Sequence, residues 1–190
     1  ILSIDFFDCE IEHELHVLYT KKFFNENDYN KKIICIDGEC RTRKTTTLAP
    51  VIAKKINANI ISTDKYLKNA KQEYFKYIDF NLLKSDILKS LEKGNVVIEG
   101  ILLLKILEKI QLIPEKLIHA ISDGSFDEYQ FNKNKNCTEI IKEAGKGLAL
   151  ISKNKKNIGL SKFQKEVFKY YKEYRPVEKA DDILILYQSF

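Results

Sequence analysis

Short apolar runs rich in β-branched residues alternate along this chain with longer stretches of helical periodicity. That alternation predicts an α/β domain built on a mostly parallel sheet. Strands are expected at 33–37 (Ile-Ile-Cys-Ile-Asp), 59–62 (Asn-Ile-Ile-Ser), 95–99 (Asn-Val-Val-Ile-Glu), 117–121 (Leu-Ile-His-Ala-Ile) and 183–187 (Ile-Leu-Ile-Leu-Tyr). Helices are expected near 44–56, 81–93, 102–111 and 161–174. The 81–93 stretch gathers Leu82, Leu83, Ile87 and Leu91 on one side, with Lys84, Lys89 and Lys93 elsewhere, and Gly94 stops it. It reads as an amphipathic crossover helix.

Ahead of the first strand, residues 8–24 read as an acidic helix ending in Lys21-Lys22. His13 and His16, three apart, would share one face of it. They could hold a metal only with a third ligand, which the sequence does not supply, so an ordinary surface helix is the simpler expectation. Residues 122–160, rich in Lys, Asn, Ser and Gly, show no sheet pattern and form the candidate lid-like segment. With no internal repeat and no Pro-rich linker, 1–190 is expected to be a single domain carrying an acidic helical extension over 1–30.

Composition narrows the class. A chain of 190 residues, 44% hydrophobic and 31% charged, can bury one proper core, which excludes disorder, a collagen-like fibre and a disulfide miniprotein. Cys9, Cys35, Cys40 and Cys137 make no C-x-x-C pair and follow no zinc spacing, so a reducing, cytosolic compartment is expected. The longest apolar runs, near 98–104 and 183–187, fall far short of the roughly 20 residues that a membrane helix needs. The start Ile-Leu-Ser-Ile-Asp lacks the basic region of a signal peptide. The chain contains no methionine, even at position 1, so contiguous motifs carry more weight here than long separations.

The net charge of +5 hides a gradient. Residues 1–30 hold seven acids against two lysines, leaving +10 for the remainder, and residues 133–179 contain thirteen Lys or Arg against five Glu. Such a surface could meet nucleic acid, anionic lipid or a phosphorylated small molecule. No aromatic and basic recognition motif accompanies the late charge, so nucleic acid is not the expected partner. The arginines are only Arg41, Arg43 and Arg175.

The chemistry concentrates in residues 33–46, Ile-Ile-Cys-Ile-Asp-Gly-Glu-Cys-Arg-Thr-Arg-Lys-Thr-Thr. An apolar strand passes through Gly38 into a helix, and the frame matches a phosphate-binding (Walker A) loop except that Arg43 replaces its second glycine. In such a loop, backbone N–H groups of Gly38, Glu39, Cys40, Arg41, Thr42, Arg43, Lys44, Thr45 and Thr46 enclose the phosphates of ATP. Lys44 reaches the β and γ oxygens, and the Thr45 hydroxyl ligates Mg²⁺. Arg43 either keeps the loop in left-handed geometry, at roughly 1–2 kcal/mol, or fills the phosphate site. The plainer alternative is a strand-to-helix turn at Gly38 with Lys44 solvated. Two further segments favour the phosphate loop: Asp64 follows the second strand in Ile-Ser-Thr-Asp-Lys-Tyr, and Glu99 ends the third in Val-Val-Ile-Glu-Gly. Acids at the carboxyl ends of neighbouring parallel strands point into the crevice where open α/β sheets bind ligands.

With Ile-Asp-Gly…Lys-Thr-Thr, Ile-Ser-Thr-Asp-x-Tyr, Val-Val-Ile-Glu-Gly-Ile-Leu-Leu and the tail Tyr-Tyr-Lys-Glu-Tyr-Arg-Pro-Val-Glu-Lys-Ala-Asp-Asp-Ile-Leu-Ile in order, the chain resembles the uridine kinase and phosphoribulokinase branch of P-loop kinases over roughly residues 31–187. The resemblance implies a three-layer α/β/α P-loop NTPase fold with a mainly five-stranded parallel sheet. It also implies an ATP-dependent kinase, with Mg²⁺, acting on a nucleoside-like (uridine or cytidine-like) small-molecule acceptor. Asp64 would be the general base, Lys44 the phosphate-binding cation, and Thr45 with Glu99 the metal holders. Tyr66, Tyr74 and Tyr77 would wall the acceptor and Asp79 would meet its hydroxyls. Residues 44–174 lack the arginines that such kinases bring from a lid. A protein that binds nucleotide or another anion without catalysis, in a regulatory role, is therefore the alternative. No membrane partner is expected, and oligomeric state, homo-oligomer included, stays open.

Overall fold

The computed structural model describes residues 13–20, 32–38, 42–68, 73–121 and 161–188, with backbone alone at 13–20 and 185–188. Six strands form one sheet: β1 His13–Thr20, β2 Ile33–Gly38, β3 Ala58–Ser62, β4 Asn95–Glu99, β5 Lys116–Ile121 and β6 Asp182–Gln188, ordered β1-β6-β5-β2-β4-β3. The five strands β2 to β6 run parallel, and β1 pairs antiparallel with β6. The helices are α1 Ala49–Lys55, α2 Phe80–Lys93, α3 Leu103–Ile110, α4 Lys162–Tyr174 and α5 Pro176–Lys179. A π-helical turn, Lys44–Leu48, precedes α1.

The strand period of two splits the core into two layers. Ile33, Cys35, Val96, Ile98 and Leu117 face α2, α3 and α4, where they meet Leu83, Ile87, Leu103, Ile106, Leu107 and Tyr170. Ile34, Ile36, Val97, Ile118 and Ala120 face α1 and its leading turn, meeting Leu48, Ala49, Ile52 and Ala53. β2, β4 and β5 are buried at every position, which is why they read as continuous apolar runs instead of alternating ones. Each fully buried Leu or Ile contributes roughly 1.5–3 kcal/mol, so the sandwich holds its strand ends firmly in place.

Local chemistry sets the helix limits. Asp79 caps α2 by accepting from Leu82 N–H at 3.1 Å, and Ser161 with Gln164 forms a reciprocal capping box on α4. At the amino end of the sheet the polar groups are structural: Lys116 pairs with Asp182 at 2.7 Å across β5 and β6, both buried. Asn95 takes Lys32 N–H at 3.1 Å and gives its amide to the Ile56 carbonyl at 2.8 Å.

The expected helix over 8–24 is corrected: His13–Thr20 is a strand in register with β6, from His13 opposite Gln188 to Thr20 opposite Asp182. Leu15, Val17 and Tyr19 occupy alternate positions, a strand pattern hidden by the acids around it, and the register shifts between Val17 and Tyr19. Without β1, β6 would present a row of unpaired backbone groups, and pairing outweighs the weak local helix preference. The helical spacing that placed His13 and His16 together is absent, and among the described residues no group of three His, Cys, Asp or Glu side chains could hold a metal. The lid-like segment 122–160 lies outside the described residues. Among the described residues no helix is long and apolar enough to cross a membrane.

Candidate active site

The chain leaves β2 toward β3 and leaves β5 toward β6, so the switch point of the sheet lies between β2 and β5. At their carboxyl ends the strands stand level: Ile36 and Ser62 both flank Glu99, and Asp37 and Gly38 lie opposite His119 and Ala120. Two glycines permit this crowding. A Cβ on Gly38 would sit 2.3 Å from the Ala120 carbonyl oxygen, and one on Gly100 would sit 1.9 Å from Thr63 Oγ1.

Beyond Gly38, residues Glu39, Cys40 and Arg41 lie outside the described residues. Thr42 is buried, and Arg43 takes φ 53°, ψ 22°, the left-handed geometry for which the motif uses glycine. The Arg43 carbonyl accepts from Thr47 and Leu48 N–H at 2.9 and 3.2 Å, which winds the π-turn. This turn buries Lys44, leaves Thr45 and Thr46 exposed, and directs the Thr45 hydroxyl to Glu99 Oε2 at 2.9 Å. Glu99 is 1% exposed, and its Oε1 has no hydrogen-bond partner among the described residues. A buried carboxylate oxygen left unpaired beside a hydroxyl is a donor set suited to a hard divalent cation. One carboxylate is enough for Mg²⁺, which takes most of its ligands from phosphates and water.

The sequence pattern did not single out a buried acid near the end of β2. Asp37, 1% exposed, accepts from Leu103 N–H at 3.4 Å through Oδ1 and from the Tyr170 hydroxyl through Oδ2. His119 Nδ1 stands 3.9 Å from that second oxygen, fully buried and without a hydrogen-bond partner among the described residues. Burial pushes Asp37 up to about 6 against the hydrogen bonds from Tyr170 and Leu103, while burial and the Lys44 charge press His119 down to about 3. The imidazole is therefore neutral near pH 7, and the close approach to Asp37 is not an ion pair. The available signal was an acid inside an otherwise apolar strand next to Gly38. Its partner Tyr170, 133 residues away, carried none.

The acceptor-side residues divide. Asp64 sits exposed in the 3₁₀ turn Thr63–Tyr66, and the Tyr74 hydroxyl donates to its Oδ1 at 2.5 Å. Tyr74 is buried, unlike a pocket wall, whereas Tyr77 is half-buried with the Lys76 ammonium 5.7 Å from its ring. Tyr66 donates to Asp86 at 3.0 Å. Asp79 caps α2 and pairs with Lys68 at 2.9 Å; that cation first, then the Leu82 N–H, hold its carboxyl below the usual range. Backbone bonds from Asp79 N–H to the Tyr66 carbonyl and from Lys68 N–H to the Tyr77 carbonyl, each 2.9 Å, clip these two stretches together.

A five-stranded parallel sheet between two helical layers, with a Lys-Thr-Thr turn following its central strand, is a three-layer α/β/α sandwich. No protein-family model and no curated protein matches the chain. Among solved structures it is similar to a protein described as a possible uridine kinase from Bacillus stearothermophilus. The two are 14% identical, the match covers 80% of this chain and 87% of that one, and the TM-score is 0.47. At that identity and TM-score the likeness says nothing of activity, for which the guide is this chain's own residues.

Proposed function

We propose that this chain is an ATP-dependent kinase that moves the γ-phosphoryl group to a hydroxyl of a nucleoside-like small molecule or related metabolite. The observation that carries the reading is the Thr45 hydroxyl bonded at 2.9 Å to buried Glu99 directly after Lys44, with Asp64 at the end of the neighbouring strand. Phosphoryl transfer asks mainly for positioning and charge neutralisation, which one cation, one metal site and one carboxylate can supply.

Lys44 opens the π-turn after β2, where its charge would balance the β and γ oxygens. Thr45 and Glu99 would hold Mg²⁺, which neutralises charge developing on those oxygens. Asp64 would accept the proton as the acceptor oxygen bonds to the γ-phosphorus. The bond from that phosphorus to the β,γ-bridging oxygen breaks, and ADP leaves with its electron pair. A coupled ADP-release assay across nucleosides, sugars and vitamin-like alcohols tests this. Turnover with at least one acceptor, reduced by roughly a hundredfold or more in Lys44→Ala, is expected; no turnover with any acceptor refutes it.

Arg43, standing where the motif has glycine, favours a second reading: nucleotide or anion binding without transfer. If the guanidinium fills the phosphate site, Arg43→Gly raises ATP affinity and the unsubstituted protein is stabilised by ATP without turnover. If the guanidinium instead serves the phosphates, Arg43→Gly lowers that affinity.

A further inference from the structure

The segment between β3 and α2 is held from across the molecule by α4. Glu166 Oε2 accepts the Tyr74 N–H at 2.7 Å, and Oε1 accepts the Phe75 N–H at 3.3 Å and lies 3.8 Å from the Lys105 ammonium. Phe163 of the same helix packs against the Tyr74 ring, centroids 6.4 Å apart. Helix α4 therefore fixes Tyr74 by backbone and by ring.

The buried hydroxyl of Tyr74 then faces two oxygens, Thr63 Oγ1 at 2.7 Å and Asp64 Oδ1 at 2.5 Å. The phenol donates to Asp64 Oδ1, and a phenol has one proton to give. The Thr63 hydroxyl must then donate to the Tyr74 oxygen. Gly100 provides the space, since a Cβ there would lie 1.9 Å from Thr63 Oγ1. Burial, first, and the Asp64 carboxylate push the phenol ionisation far above its ordinary value, so Tyr74 stays a donor at every working pH.

We propose that Tyr74 is a positioning residue for Asp64, and that Glu166 acts on Asp64 through Tyr74. The role rests on the reading of Asp64 as the proton acceptor of the kinase. On an exposed turn a carboxylate samples several rotamers. Anchoring Oδ1 restricts that motion and leaves Oδ2 for the acceptor hydroxyl, which is the alignment that proton transfer requires. Tyr74 is thus a device behind the base, and Glu166, 92 residues distant, holds it in place.

The test is a double-mutant cycle on Tyr74→Phe and Glu166→Gln, read by kcat, the KM for ATP and thermal melting. Tyr74→Phe keeps the ring and is expected to lower kcat roughly tenfold to a hundredfold, with the KM for ATP within about twofold of the unsubstituted protein. Glu166→Gln lowers kcat less, and the double variant falls no further than Tyr74→Phe alone, because both losses pass through one hydrogen bond. A merely structural role would give losses that multiply and follow the melting temperature. An unchanged kcat in Tyr74→Phe, or multiplying losses, overturns the positioning role while leaving the kinase reading intact. Absence of turnover in the unsubstituted protein overturns the kinase reading and this role with it.

Discussion

Arg43 gives the sharpest test of how this loop is built. Its φ of 53° places a side chain in the left-handed region, which costs roughly 1–2 kcal/mol that glycine would not incur. Glycine in turn loses about 0.5–1 kcal/mol through greater freedom in the unfolded chain. Comparing Arg43→Gly with Arg43→Ala isolates the backbone, because both variants remove the guanidinium and every contact it makes. At an ordinary position alanine would be the more stable of the two by about 0.5–1 kcal/mol. At position 43 the order should reverse, with Arg43→Gly ahead by a similar margin. For a chain of this length that margin is about 1–4 °C in melting temperature. Differential scanning fluorimetry and urea melts, in buffer free of phosphate and nucleotide, read it directly. If Arg43→Ala melts at or above Arg43→Gly, the loop is not held left-handed at Arg43 and the strained phosphate-loop geometry is wrong.

The buried Asp37 and His119 should make opposite contributions to stability against pH. Asp37 keeps its proton to about 6 when folded and loses it near 3.8 when unfolded, so its contribution is lost as pH rises through that window. His119 gains its proton near 6.5 when unfolded but only near 3 when folded, so its contribution is lost as pH falls. The slopes, each about 1.4 kcal/mol per pH unit, nearly cancel between about 4 and 6. Urea melts should show His119→Gln losing stability from pH 4 to 6 and Asp37→Asn losing it from pH 6 to 4; parallel profiles for the two variants would contradict this account. Glu99→Gln should raise the Mg²⁺ concentration needed for nucleotide binding roughly 10- to 100-fold, measured by calorimetric titration; an unchanged requirement removes Glu99 from the metal site. Gly38→Ala, whose new methyl meets the Ala120 carbonyl oxygen at 2.3 Å, should cost about 1–3 kcal/mol in a denaturant melt; a neutral result would mean that β2 and β5 separate there freely.

Much of this architecture is legible along the chain. Strands buried on both faces must be apolar at every position, so β2, β4 and β5 stand out without any alternation. The amphipathic α2 carries its own stop at Gly94. β1 is not legible in this way, because its local composition suits an acidic helix and only the open edge of β6 makes it a strand. In the candidate site, Lys44, Thr45, Asp64 and Glu99 stand out because a phosphate loop and the ends of parallel strands are local patterns. Asp37 does not, because its partner hydroxyl comes from α4. Tyr74, expected to wall the acceptor, is turned inward by its backbone bond to Glu166 and its hydroxyl bond to Asp64.

By itself, then, the sequence determined what short-range physics controls: which segments are strand or helix over most of the described chain, where the Lys-Thr-Thr turn falls, and which acids end neighbouring strands. The tertiary structure decided which of those groups meet. It set Thr45 against Glu99, hung Asp37 from Tyr170, and placed Tyr74 between Glu166 and Asp64. The physical reason is that the bonds Thr45–Glu99, Tyr74–Glu166 and Tyr170–Asp37, between residues 54 to 133 positions apart, depend on how two helical layers close over a sheet. No local propensity encodes that closure, since the same side chains in open solution would bond to water instead.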